Sequence, residues 1–229
     1  MTPENPPALE LRNIAHGGVV RGVSAVFAPG SFHLLRGDAE SGKNVLLRLL
    51  GLLERPDRGE VLLHGVSTGD LDENAHTALR ARECGFVFAA PFLLAGFTVI
   101  ENVAMPLFKV SQVGPEAARR RTVAVLEFVG LAELMEAPVA ELPPDAQRRV
   151  SLARALVNEP AAIFVEDLDG GLDASALSEF TTLLRRACER YDLAVIASAS
   201  TACPVQAHDR VLELVAGTIR SDSEALRAS

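Results

Sequence analysis

Apolar residues along this chain fall into two alternating patterns. Short runs rich in Val, Ile, Leu and Phe occupy residues 9–14, 23–27, 32–35, 60–63, 85–88, 162–165, 194–197 and 211–214. Several are apolar at nearly every position, as a strand covered on both faces must be, because its side chains point alternately to two sides. The interval from about residue 92 to 158 differs: apolar residues recur there with helical spacing, which predicts helices over 98–110, 116–129 and 145–158 and no strand. Strands alternating with helices predict an α/β fold. The strand-free middle predicts a helical insertion in a mixed core, with the chain returning to the sheet at Ala162. No internal repeat or low-complexity segment interrupts this order.

Composition narrows the picture. The 229 residues are 48% hydrophobic and 23% charged, enough apolar material for one large domain with a sizeable core. A net charge of −8 argues against a nucleic-acid surface, which shows as a basic excess or stripe. The run Arg119-Arg120-Arg121 reads as a solvated helix face. The cysteines, Cys84, Cys188 and Cys203, are odd in number and in no metal-ligand spacing, so neither a disulfide framework nor a zinc site is expected and a reducing cytoplasm fits. Residues 1–7 lack the basic-then-apolar order of a signal peptide, and no uncharged apolar run approaches the roughly 20 residues of a membrane span. Any membrane role is expected to be peripheral.

The chemistry starts after the run at 32–35. Gly37-Asp38-Ala39-Glu40-Ser41-Gly42-Lys43-Asn44 has the spacing G-x-x-x-x-G-K, and the apolar-periodic stretch from Val45 begins a helix. In this strand-loop-helix setting, backbone N–H groups and the helix N-terminus cradle a triphosphate while the lysine reaches its outer phosphates. Residues 37–45 are therefore the candidate ATP-binding residues. Two of them weaken the site. A Ser or Thr hydroxyl after the lysine would hold Mg²⁺, and Asn44 offers a carbonyl oxygen instead. Glu40, unless it points outward, sets a carboxylate about 6 Å from a phosphate, at a cost of roughly 3 kcal/mol for an effective dielectric of about 20.

Further along, Leu49-Leu50-Gly51-Leu52-Leu53-Glu54-Arg55-Pro56-Asp57-Arg58-Gly59-Glu60-Val61 resembles the "LLxGLxxPxxGxV" segment of ABC-type ATP-binding subunits. In the same register Phe97-Thr98-Val99-Ile100-Glu101-Asn102-Val103 resembles "lTVxENV", and Val150-Ser151-Leu152-Ala153-Arg154-Ala155-Leu156 resembles "VaiARAL". Gly171-Leu172-Asp173 is similar to the end of "DEPTxgLD", and Asp209-Arg210-Val211-Leu212 with Gly217 to "aDRvlxlxxG". The resemblance spans nearly the whole chain. The wording around Phe97 is similar to bacterial cassettes of lipoprotein release, macrolide export and envelope lipid traffic. It implies a P-loop NTPase (RecA-like) core of mixed sheet flanked by helices, residues 1–90 and 159–229, with antiparallel N-terminal strands and an inserted α-helical subdomain over 91–158, all in a single domain 1–229. It implies as partners a transmembrane permease subunit and a second cassette, as homodimer or heterodimer with a sister ATPase, at the cytoplasmic face of the inner membrane. Phe92, Leu93, Leu94 and Phe97 are the apolar residues expected at the permease contact or in the core.

The same register locates the residues that turnover would use. The adenine-stacking aromatic should lie near residues 13–18, where only His16 stands, and it reads as a turn histidine more readily than as a stacking one. The Gln that senses phosphate and metal is Ala89. The signature L-S-G-G-x-Q reads Leu142-Pro143-Pro144-Asp145-Ala146-Gln147, in which two prolines remove N–H donors and Asp145 adds charge; the alternative is an ordinary helix start with Asp145 as N-cap. Metal-orienting and water-polarising acids fall on Glu166 and Asp167, in interchanged order, and the switch histidine on Ser200. Asn44 and Glu166 would hold Mg²⁺ weakly, and Asp167, Glu166 and Ser200 are the catalytic candidates. The expectation is a degenerate transporter subunit that binds ATP weakly or not at all and acts as a structural or regulatory partner. The alternatives are a competent or slow ATPase, and a soluble scaffold outside transport.

Overall fold

The computed structural model describes residues 6–111, 113–206 and 209–223. Two sheets organise it. β1 (Leu9–His16), β2 (Val20–Phe27), β4 (Arg58–Leu63) and β5 (Val66–Ser67) form an antiparallel sheet in the order β2-β1-β4-β5. The second has six strands, with β3 (Phe32–Arg36), β6 (Cys84–Val87), β7 (Ala162–Val165), β8 (Ala194–Ala199), β9 (Arg210–Val215) and β10 (Thr218–Asp222) in the order β10-β9-β3-β8-β7-β6. All its neighbours are parallel except β9 and β10, so the sheet is mixed.

The apolar runs are strands because both faces of the central sheet are covered. Phe32 and Leu34, Ile163 and Val165, and Val195 and Ala197 enter one core; Leu35, Ala162, Phe164, Ala194 and Ile196 enter the other. The first face is covered by α3 (Val99–Pro106), α5 (Pro144–Leu156) and α6 (Ala174–Tyr191), with α4 (Pro115–Phe128) packed behind. The second is covered by α1 (Lys43–Leu50) and the inner residues of the antiparallel sheet. Leu46, Leu49 and Leu50 of α1 are fully buried, and each contributes about 1.5–3 kcal/mol of apolar burial.

The predicted helices of the middle segment are present with shifted bounds. Thr98 caps α3 in a capping box with Glu101, and α3 ends at Pro106, beyond which Leu107–Ser111 forms a π-helical turn. α5 starts at Pro144 with Pro143 as its N-cap residue, so Asp145 is its second residue and not the N-cap expected of it. Proline suits that place, because the N–H it lacks would have no helical partner there anyway. Among the described residues, two α-helices fall outside the predicted set. α2 (Glu73–Glu83), capped by Asp72, is mostly exposed and carries a weak apolar stripe, and α6 follows Asp173, whose carboxylate accepts from the Ala176 N–H at 2.9 Å.

Candidate nucleotide site

The parallel register brings the candidate residues to one end of the sheet. β3 ends at Arg36 opposite Ala199 of β8, and Val165 of β7 stands opposite Ala197 and Val87. The loop from Gly37, the residues after Val87, the pair Glu166-Asp167 and Ser200 thus all leave the sheet at its carboxyl edge, where open α/β sheets bind ligands.

The loop is built by two close approaches. A Cβ on Gly37 would lie 2.5 Å from Ser41 Oγ and 2.7 Å from the Leu214 carbonyl, so only glycine lets the chain fold back here. Gly42 has φ +89, a conformation that side-chain-bearing residues rarely adopt, and it turns the chain into α1. Lys43 is buried, and its Nζ donates to the Asp38 carbonyl at 2.8 Å. Other donors are also used within the loop. The Glu40 N–H donates to Asp38 Oδ1 at 3.1 Å, and the Lys43 N–H to Ser41 Oγ at 3.4 Å. Ala39 is exposed and Val45 packs at the edge of the core. Glu40 is exposed. Asn44 Oδ1 is buried and has no hydrogen-bond partner among the described residues.

Glu166 and Asp167 follow β7 and diverge. The Ala89 N–H approaches Glu166 Oε2 at 3.5 Å. Asp167 has φ +51, its N–H donates to Ser198 Oγ at 3.0 Å, and its carboxylate folds over Gly170, where an added Cβ would meet Oδ2 at 1.9 Å. Arg148, on α5, lies beneath this turn. Its Nη1 donates to the Gly170 carbonyl at 3.0 Å, its Nη2 to those of Asp167 at 2.7 Å and Glu166 at 3.4 Å, and its guanidinium sits 5.1 Å from the centre of the Phe180 ring.

Sequence reasoning passed over Asp169. Its carboxylate accepts the Ser200 N–H at 3.0 Å through Oδ1 and the Ser200 hydroxyl through Oδ2. Burial works against its ionisation, but the bonds from Ser200 and the charge of Lys43 outweigh this and hold the carboxyl below its usual range. The available signal was a carboxylate at the Thr position of "DEPTxgLD". Its partner comes from a different strand, which no local pattern reveals.

The remaining positions are apart from this cluster. His16 ends β1 and opens the hairpin turn to β2, its carbonyl accepting the Val19 N–H at 3.0 Å, and its ring nitrogens face Glu54 at 3.4 Å and Asp57 at 3.2 Å. Pro143, Pro144 and Asp145 are exposed at the start of α5, and the Gln147 amide turns back to the Leu142 carbonyl at 2.9 Å. Phe92, Leu94 and Phe97 are exposed, whereas Leu93 packs against the core.

A glycine loop between a buried parallel strand and a helix, with acidic residues ending the strand two places away, defines a P-loop nucleotide-binding domain. The chain belongs to the ABC transporter family, which residues 20–167 match. It is 40% identical over 169 residues to the lipoprotein-releasing system ATP-binding protein LolD of Maricaulis maris, covering 72% of this chain and 73% of that protein. It is 34% identical over 209 residues to the macrolide export ATP-binding/permease protein MacB of Syntrophobacter fumaroxidans, covering 91% of this chain and 29% of that protein. A dimeric post-hydrolysis structure of the ATP-binding cassette MJ0796 bound to ADP and Pi matches with TM-score 0.79 and 26% identity over 93% of this chain and 97% of that one. The cbiO1 protein of Clostridium perfringens, part of the ABC transporter complex cbiONQ, matches with TM-score 0.88 and 20% identity over 98% and 92%, a likeness of fold.

Proposed function

We propose that this chain is the ATP-binding subunit of an ABC transporter whose own site binds ATP weakly and turns it over poorly or not at all, so that it serves as a structural or regulatory partner. The observation that carries this is the start of α5. Pro143 and Pro144 occupy its N-cap and first helical positions, and Asp145 follows in the first turn. Two N–H donors are missing where the family grips a partner's phosphate, and a carboxylate stands in the positive end of the helix dipole. Within the chain's own site, Asp38 and Ser41 accept N–H groups that a phosphate would need, and Ala89 supplies no side-chain donor.

The loop still fits a nucleotide's phosphates. Gly42 and the N-terminus of α1 frame it, Lys43 is present, and the unpartnered Asn44 carbonyl oxygen with the Glu166 carboxylate are hard oxygen donors of the kind Mg²⁺ takes. Bound there, Mg²⁺ would offset phosphate charge. Asp167 and Ser200 occupy the water-polarising and switch positions, but the Asp167 carboxylate lies over Gly170 and both Ser200 donors are committed to Asp169.

The partner we assign is a membrane permease, with a second cassette completing a dimer, at the cytoplasmic face of the inner membrane. Residues 91–158 form the subdomain that would meet the permease. They expose Phe92, Leu94, Phe97 and Phe108, and a groove of about 660 Å³ lined by Phe97, Ile100, Met105, Phe108 and Ala118 opens between α3 and α4. None of the described helices is long and apolar enough to cross a membrane. The named relatives include a lipoprotein-releasing system ATP-binding protein and an ATP-binding/permease protein, which supports transport over a soluble scaffold. Phosphate release by the purified chain, alone and with a sister cassette, tests the proposal. Little or no Lys43-dependent release is expected. Mg²⁺-dependent turnover abolished by Lys43→Ala would replace it with the reading of a working ATPase.

A further inference from the structure

Gly217, in the turn between β9 and β10, lies against the phosphate loop. β3 and β9 run parallel with Arg36 opposite Glu213, so the chain beyond Glu213 travels beside the loop that begins at Gly37. It meets the loop at both ends. A Cβ on Gly37 would lie 2.7 Å from the Leu214 carbonyl, and the Gly217 N–H donates to the Ser41 carbonyl at 3.0 Å.

The bond to Ser41 sets the direction of a donor. A trans peptide unit is planar, with its C=O and N–H pointing opposite ways, and the described residues contain no cis bond. Drawing the Ser41 carbonyl toward Gly217 therefore turns the Gly42 N–H away from the β9–β10 turn. Among the described residues no acceptor receives that N–H, although Gly42 is buried. Three neighbouring donors are already committed: the N–H groups of Glu40 and Lys43 go to Asp38 Oδ1 and Ser41 Oγ, and that of Ser41 to the Asp38 carbonyl at 3.3 Å. Gly42, beside Lys43 at the start of α1, keeps a donor for a phosphate.

The place of Gly217 leaves no room for a side chain. Its φ is +81, and a Cβ would collide with the Val19 carbonyl oxygen. Its own carbonyl accepts the Arg21 N–H at 2.8 Å, so the turn is held between the β1–β2 hairpin and the phosphate loop.

We propose that Gly217 is a positioning residue of the nucleotide site: its N–H, by holding the Ser41 carbonyl, aims the Gly42 N–H at the nucleotide's phosphates. The role rests on the proposed function only in that phosphates occupy this loop. A hydrogen bond to a charged oxygen changes affinity by about 10- to 100-fold, so losing the aim of one donor is measurable.

The test is calorimetric titration of the full chain with ADP and with inorganic pyrophosphate, at a temperature where each variant is folded, for the wild type, Gly217→Ala and Ala216→Gly. Gly217→Ala has to move the turn off Val19 and lose the bond to Ser41, so both ligands should bind about 10- to 100-fold more weakly. Ala216→Gly alters the same turn at a φ of +48, which glycine adopts freely, and keeps the Gly217 N–H, so both affinities should stay within about twofold of the wild type. Unchanged affinity in Gly217→Ala, an equal loss in Ala216→Gly, a loss for ADP that pyrophosphate does not share, or no binding of either ligand by the wild type at millimolar concentration would each overturn the inference. If Gly217→Ala does not fold, amide exchange in the wild type decides: ADP should slow exchange at Gly42, and exchange there indifferent to ADP would overturn the inference. Mg²⁺-dependent, Lys43-dependent phosphate release would overturn the proposed function and leave the role of Gly217 standing, so either can fail alone.

Discussion

The guanidinium of Arg148 donates to the backbone carbonyl of Asp167 at 2.7 Å, joining the helix behind the sheet to the turn that carries three acidic residues. Arg148 is 7% exposed, and its other bonds go to Gly170 and Glu166 carbonyls. Burial pushes its pKa down, while the charges of Asp167 and Asp169 oppose that shift. Loss of the guanidinium removes the Nη1 donor to the Gly170 carbonyl, whereas the Asp167 carbonyl keeps the Gly170 N–H at 3.1 Å.

Arg148→Leu should therefore destabilise the chain by about 2–3 kcal/mol, the cost of orphaned carbonyls in a partly buried site. Amide exchange at Leu168 and Gly170 should accelerate well beyond the change in global stability, and urea unfolding combined with hydrogen exchange would measure both. A uniform rise in exchange across the sheet would show that Arg148 supports the core and not the turn.

Gly42→Ala tests the loop directly. The position has φ +89, and a Cβ would meet Val19 Cγ1 at 3.2 Å. Strain of about 1–2 kcal/mol is expected in thermal unfolding. Nucleotide binding should fall more steeply than stability, because the strained turn directs the first N–H groups of α1. Equal nucleotide affinity in the variant would mean that the loop does not make the binding surface.

The groove between α3 and α4 should be separable from the fold. Phe97 is 43% exposed and Phe108 62%, so Phe97→Asp with Phe108→Asp should leave stability within about 0.5 kcal/mol per site. The same double variant should lose co-sedimentation with membranes that contain the permease. Retained membrane association would move the contact to the segment around Phe92 and Leu94.

His33 predicts an acid sensitivity unrelated to nucleotide. Burial, aided by the positive charge of Arg210 and opposed by Asp222, depresses its pKa to about 3 from 6.5. The unfolded chain takes up a proton below about 6.5 that the folded chain refuses until about 3, so stability is full above 6.5 and declines as pH falls through that window. At pH near 4.5 the loss is on the order of 2 kcal/mol. His33→Leu should flatten this part of the profile in denaturant titrations at pH 4.5 and 7, and an unchanged slope would assign the acid sensitivity elsewhere.

The sequence by itself determined the core strands, the helical middle and the loop at 37–45, because each of these rests on local rules. Apolar runs mark strands covered twice, helical spacing marks amphipathic helices, and glycines at fixed distances around a lysine mark a phosphate turn. Elements with weak local signals were not legible. The two-residue β5 has almost no pattern, β10 is mostly half-buried and polar, and α2 buries only His76. Only the tertiary structure decided which residues of the site meet. Asp169 and Ser200 are 31 residues apart, and Arg148 is 19 residues from Asp167. Their meeting depends on β7 lying beside β8 and on α5 packing under the turn, arrangements fixed by burial of the sheet's two faces and by no motif that contains the residues themselves.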